Sequence, residues 1–261
     1  MADLSNGNKG YQLEMVSKAY DGRIALSQTT FGFSQGERIA VVGPSGSGKT
    51  TLLHMLAGVV QPDTGNIAFD GQSLSELRPG RDLSRLVGVI HQQFDLVPHL
   101  NVIHNVLAGR LGEWSLMRSL YSLISPRDRD LAMSALGRVG LLDRASERTS
   151  RLSGGEQQRV AIARLLVQDP RLIVADEPVA ALDPARARDL LSMLASIAEE
   201  SNKTLVASLH SVEFAREYFQ RVIGLRNGFV QFDLPVDQMT DDLLNELYEL
   251  RGLEIEGVVP G

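Results

Sequence analysis

The chain has 261 residues, with 26 Lys+Arg against 32 Asp+Glu, a net charge of −6 and no cysteine. At roughly 150 residues per domain this is one to two domains, long enough to bury a core without covalent staples. The lack of cysteine excludes a disulfide framework, a thiolate metal site and a cysteine nucleophile. The acidic balance argues against a nucleic-acid partner. No apolar run reaches the ~18–20 residues that span a bilayer, and the polar first ten residues carry no secretory leader pattern.

Beyond the polar start, Gln12 to Tyr20 alternates as a strand does, and a turn at Gly36 leads into the apolar run Arg38–Val42. Similar short apolar runs follow at Leu86–Ile90, Leu172–Ala175, Thr204–Leu209 and Val222–Leu225, with helical patterns between several of them. Strands alternating with helices predict an α/β core with a largely parallel sheet. From about Asn101 to Val167 strand signals vanish. Ser125-Pro-Arg-Asp128 reads as a helix start, followed by Leu131, Ala135, Leu136 and Val139 at helical spacing. This stretch is expected to form a helical subdomain inserted in the core. Leu243, Leu244, Leu247 and Leu250 mark one more amphipathic helix.

Two motifs carry chemistry. Gly43-Pro-Ser-Gly-Ser-Gly-Lys49-Thr50 matches G-x-x-x-x-G-K-[ST], placed after a buried strand and before a helix. Glycines let backbone N–H groups turn around a polyphosphate, and the helix N-terminus adds its positive dipole end. Lys49 is placed to reach the β- and γ-phosphates of a bound nucleotide, and the Thr50 hydroxyl to ligate Mg²⁺. The second motif is the apolar strand Leu172–Ala175 ending in Asp176 and Glu177. Asp176 suits Mg²⁺, directly or through water, and Glu177 suits a general base toward the water attacking the γ-phosphorus. Alone, two acids at a strand end are as often just solvated; beside a phosphate loop they read as chemistry.

Leu152-Ser-Gly-Gly-Glu-Gln157, added to these motifs, resembles the signature of ATP-binding-cassette (ABC) ATPases, the motor subunits of membrane transporters. Ser153 with Glu156 is a capping box, and Gly154 and Gly155 leave a helix N-terminus bare enough to approach a phosphate. The resemblance implies a P-loop NTPase core with a mostly parallel sheet, an N-terminal antiparallel β portion and an inserted α-helical subdomain. The ATPase domain would cover 11–231, with core segments at about 11–92 and 168–231 and the helical subdomain at about 93–167. Residues 232–261 would form a C-terminal helix and tail. Gly43, Pro44, Ser45, Gly46, Ser47, Gly48, Lys49, Thr50 and Thr51 would hold ATP. Ser153, Gly154, Gly155 and Glu156 would close over ATP held by a second copy in a head-to-tail homodimer.

The same resemblance places single residues. Tyr20 corresponds to an aromatic that stacks on adenine, with an ordinary strand aromatic as the alternative. Gln92 corresponds to a glutamine that senses Mg²⁺ and the attacking water, with Gln93 as its neighbour and competitor. His210 corresponds to a histidine that contacts the γ-phosphate, and Asp183 to a loop signalling across the dimer. Asp183 also reads as a helix N-cap before Pro184. His91 and Ala180 depart from the family's usual aromatic and serine.

Single motifs, no zinc cysteines and no sustained heptads point away from translation, repair and chromosome-maintenance relatives. Gly109–Gly112, Trp114–Leu120, Ala175–Ala180, Ser208–Val212 and Gly224–Gly228 are similar to the ATPase of phosphonate importers. That similarity implies uptake of phosphonate, phosphite or phosphate through two integral membrane permease subunits fed by an extracytoplasmic solute-binding protein. The chain would sit peripherally on the cytoplasmic face of the membrane. Another importer solute, or a soluble ATPase clamp, is the alternative. Trp114, Met117, Tyr121 and Ile124 share one helical face, either as a permease groove or as local core.

Overall fold

The computed structural model describes residues 10–78, 80–91, 94–113 and 128–248. Gln92, Gln93, the face from Trp114 to Ile124, the Ser125-Pro126 helix start and Leu250 lie outside the described residues.

A six-stranded sheet forms the centre. Its members are β3 (Arg38–Val42), β6 (Val87–Ile90), β7 (Leu172–Ala175), β8 (Thr204–Leu209), β9 (Arg221–Arg226) and β10 (Phe229–Pro235). Their order is β10-β9-β3-β8-β7-β6, parallel throughout except that β10 runs antiparallel to β9. Both faces of this sheet are covered, which is why its strands read as continuous apolar runs rather than alternating ones. Ile39 and Val41 of β3 join one core cluster, and Ala40 and Val42 join another on the opposite face.

The first face carries α1 (Lys49–Leu56) and, beyond it, an antiparallel sheet. That sheet is built from β1 (Gly10–Tyr20), β2 (Arg23–Ser34), β4 (Thr64–Phe69) and β5 (Gln72–Ser73), in the order β2-β1-β4-β5. Tyr11, Leu13, Leu26 and Phe33 from it pack in one cluster with Leu52, Leu53 and Leu56 of α1. Strand β6 follows a short helix, α2 (Arg81–Leu86), so Leu86 closes that helix instead of opening the strand.

The opposite face carries α3 (Val102–Leu107), α4 (Arg129–Arg138), α5 (Gly154–Gln168), α6 (Pro184–Glu200), α7 (Val212–Tyr218) and α8 (Asp241–Tyr248). Helices α3, α4 and α5 are the expected helical insertion. α4 begins at Arg129, and its inward positions are Ala132, Ala135 and Leu136. Of the four residues expected to face inward, Ala135, Leu136 and Val139 are buried and Leu131 is 42% exposed. The buried Asn105 ties α3 to its surroundings: its amide accepts from Val97 N–H at 2.7 Å and donates to Val97 O at 3.0 Å and Thr149 Oγ1 at 2.8 Å. Arg164 of α5 donates to the carbonyls of Phe94 (2.9 Å) and Asp95 (2.8 Å), pinning the chain that follows β6. In the described residues no helix is long and apolar enough to cross a membrane.

Candidate ATP site

The carboxyl ends of the parallel strands share one edge, the usual place for ligands in such sheets. Register fixes who meets whom. Val42 pairs with Leu209, and Ala175 with Ala207, so Gly43, Asp176, Ser208 and His210 emerge at neighbouring levels.

Between β3 and α1 the chain makes a glycine-dependent loop. Gly46 and Gly48 have φ of 76° and 105°, the left-handed region that L side chains rarely adopt. At Gly48 an added Cβ would also stand 2.3 Å from the Ala25 carbonyl oxygen. The loop is braced from outside: Gly228 N–H donates to Ser47 O at 3.0 Å, and Ser27 N–H to Gly228 O at 2.7 Å. α1 starts at Lys49 on a glycine with no side-chain cap. Its first N–H groups therefore lack the partners that a capping side chain supplies, as suits an anion. Ser47 Oγ is buried with no hydrogen-bond partner. Lys49 is buried, and its ammonium donates to the carbonyls of Gly43 (2.9 Å) and Pro44 (3.1 Å). Burial pulls its pKa below the ordinary lysine value, opposed by the charges of Glu177 and Asp176.

Asp176 and Glu177 are organised by a residue that sequence reasoning gave no role. Ser208 is fully buried in β8; its hydroxyl donates to Asp176 Oδ1 at 2.7 Å and accepts the Glu177 N–H at 2.7 Å. The available signal was a hydroxyl inside an otherwise apolar stretch of β8. Asp176 Oδ1 also receives the Thr50 hydroxyl at 3.3 Å. Glu177 has φ 47°, an uncommon conformation for a long side chain, and its Oε1 lies 2.7 Å from His210 Nε2. Lys49, Thr50, Asp176, Glu177 and His210 thus lie near one another at this edge of the sheet. Gln92, expected beside them, lies outside the described residues.

Tyr20 ends β1 half exposed, with the Lys18 ammonium 5.5 Å from its ring centroid. Asp183 caps α6: its Oδ1 accepts Arg186 N–H at 3.1 Å, with Pro184 in the first turn. The capping box also forms. Ser153 Oγ accepts from Glu156 N–H at 3.3 Å, and Glu156 Oε2 accepts from Ser153 N–H at 2.8 Å. The Ser153 N–H and the Ser153 hydroxyl, which donates to Glu156 Oε2 at 2.8 Å, hold the Glu156 carboxyl below its usual pKa, helped by Arg144 3.5 Å away. A Cβ added at Gly154 or Gly155 would meet nothing within 4 Å. Internal packing therefore does not require these glycines. No hydrogen bond or ion pair among the described residues joins this helix start to the phosphate loop.

A parallel sheet with a phosphate loop, a strand-end acid pair and a poised histidine defines a P-loop nucleotide hydrolase. The model of the ABC transporter family matches residues 26–180, and the chain belongs to that family. It is an ABC ATPase, and ATP is its substrate. It is 42% identical over 243 residues to "Phosphonates import ATP-binding protein PhnC 1" of Nostoc sp., covering 91% of each chain. It is 41% identical to "Hypophosphite import ATP-binding protein HtxD" of Stutzerimonas stutzeri, covering 92% of this chain and 71% of that one. Among solved structures, the dimeric post-hydrolysis state of the ATP-binding cassette MJ0796 with ADP and Pi superposes with a TM-score of 0.72. It is 30% identical, covering 87% of this chain and 98% of that one.

Proposed function

We propose that this chain is the energy-coupling subunit of an importer for phosphonate or a related small phosphorus oxyanion, working as a homodimer beneath two membrane permease subunits on the cytoplasmic face. The similarity to phosphonate and hypophosphite import ATP-binding proteins along nearly the whole chain supports the solute class. An extracytoplasmic binding protein would deliver the solute to the permeases. The ATPase itself does not line the substrate path.

The single observation that carries the catalytic reading is the Ser208-centred cluster, which sets Asp176 and Glu177 side by side at the mouth of the phosphate loop. Lys49 leaves the Gly43 and Pro44 carbonyls for the β- and γ-phosphates, and Tyr20 stacks on adenine. The donors fit Mg²⁺: a hydroxyl (Thr50) and one carboxylate (Asp176) are hard oxygens, leaving other positions to water and phosphate. Among the described residues no group of three or more His, Asp or Glu could hold a metal ion. When bound, the ion supplies charge neutralisation on the phosphates.

Glu177 takes the proton of the attacking water, and His210 holds Glu177 and the γ-phosphate region in register. Catalysis is chiefly positioning and charge stabilisation. Ser153, Gly154, Gly155 and Glu156 complete the site of the partner subunit, and Asp183 lies at their shared boundary. The test is uptake of defined phosphonate, hypophosphite, phosphite and phosphate by cells lacking this chain. Loss of one oxyanion's uptake is expected, and unchanged uptake of all four would overturn the solute assignment.

A further inference from the structure

The C-terminal helix α8 reaches the root of the phosphate loop. It is fixed at its start by Arg216, whose guanidinium donates to Met239 O at 2.9 Å and Asp241 Oδ1 at 3.0 Å. Near its end Arg226, from β9, donates to the Glu246 carbonyl. Leu247 is fully buried beneath it, with Leu243 and Leu244 packed against the same core. The last described residue, Tyr248, then accepts a hydrogen bond from the Gly43 N–H on its phenolic oxygen at 3.1 Å. Burial raises the pKa of this phenol above its usual value, opposed by the hydrogen bond from the Gly43 N–H.

Gly43 is the residue at which β3 becomes the loop. It is buried, its φ is 148°, and a Cβ there would stand 2.0 Å from the Leu225 carbonyl oxygen of β9. Its two backbone polar groups are both engaged by side chains: the N–H by Tyr248 and the carbonyl by Lys49. A buried N–H stripped of its partner is costly, and the cheapest response is a rotation of the peptide that bears it. In this chain that peptide directs the first turn of the phosphate loop.

We propose that Tyr248 is a positioning residue for nucleotide binding: its hydroxyl sets the orientation of the Gly43 peptide and so pre-forms the phosphate loop from a helix 205 residues further along the chain. The inference rests on the reading of Gly43–Thr51 as the phosphate loop. Pre-organisation acts on affinity, because a loop already in its bound shape loses less freedom on binding. Removing the hydroxyl should therefore weaken nucleotide binding and leave the chemistry at Glu177 alone.

The test uses the full chain with Tyr248→Phe, which keeps the ring and its packing. Kd for ADP and for ATP–Mg is measured by calorimetry well below the melting temperature, alongside KM and kcat for ATP hydrolysis. Kd and KM should rise about three- to tenfold, with kcat at saturating ATP within about twofold of the parent. Unchanged Kd, or a fall in kcat with KM unmoved, would overturn the role of Tyr248. Lys49→Ala runs in parallel. If Lys49→Ala loses binding while Tyr248→Phe binds as the parent does, the Tyr248 inference alone fails. If Lys49→Ala binds normally, the phosphate-loop reading fails, and this inference with it.

Discussion

Ser208 shows how one small residue ties down two neighbouring acidic residues, Asp176 and Glu177. Its hydroxyl is at once donor to Asp176 and acceptor from the Glu177 backbone, on a side chain that is fully buried. The Glu177 backbone is held in a sparsely populated conformation, and such strain persists only where neighbours over-determine it. Ser208→Ala leaves the Glu177 N–H unpaired, at a cost of about 1–3 kcal/mol. We expect hydrolysis to fall at least tenfold, with nucleotide affinity changed far less, as read from steady-state kinetics and ADP titration. Glu177→Gln tests the neighbouring assignment. Its amide retains the shape of the side chain but accepts no proton at neutral pH, so turnover should collapse while ATP binding persists. Full turnover in that variant would remove Glu177 from the role of base. Gly48→Ala acts earlier: the Cβ meets the Ala25 carbonyl, and φ of 105° disfavours any side chain, so nucleotide binding itself should be lost.

At the level of elements, the legibility of the fold followed the strength of each local rule. The parallel strands are readable because burial on both faces demands near-continuous apolar runs: β7 is apolar throughout, β3 after Arg38, and β8 apart from Thr204 and Ser208. The caps of α5 and α6 are readable because Ser153, Glu156 and Asp183 satisfy backbone groups within three residues of themselves, and Pro184 brings no N–H that needs a partner. Leu86 was misplaced because an apolar residue fits either a helix end or a strand start. On α4, Ala135, Leu136 and Val139 are buried as their spacing predicts, and only Leu131 departs: the small Ala132 beside it takes the inward position. Ser208 and Tyr248 were not assigned because their roles depend on partners 31 or more residues away, which no local pattern encodes. Asn105 mixes near and distant partners: Val97 and Asn101 within eight residues, and Thr149 44 residues on. It holds three backbone groups and a hydroxyl inside the helical subdomain. Asn105→Ala should cost about 2–4 kcal/mol by unpairing buried partners, measured as a lowered urea midpoint. A shift under a tenth of that would mean the network is dispensable.

For the molecule as a whole, the arrangement of the two glycine-rich helix starts decides what the working unit is. The phosphate loop is braced within the chain, by Gly228 on one side and Tyr248 on the other. The start of α5 is different: it satisfies its own cap, yet Gly154 and Gly155 open onto free space. Glycine there costs helix stability that internal packing does not return, so its benefit lies outside the subunit. This supports a head-to-tail dimer in which each α5 start closes the other subunit's ATP site. A mixing experiment separates this from closure within one chain. Lys49→Ala disables the loop of its own subunit, and Gly155→Glu places bulk and negative charge where the partner's γ-phosphate should sit. Each variant alone should be inactive. In a mixed dimer the loop of the Gly155→Glu subunit meets the intact α5 start of the Lys49→Ala subunit, restoring one of two sites. Random pairing of equal amounts makes half of the dimers mixed, so activity should recover to about a quarter of the parent's. If α5 instead served the loop of its own chain, every subunit in the mixture would still carry a broken site, and ATPase activity would stay at the level of the separate variants.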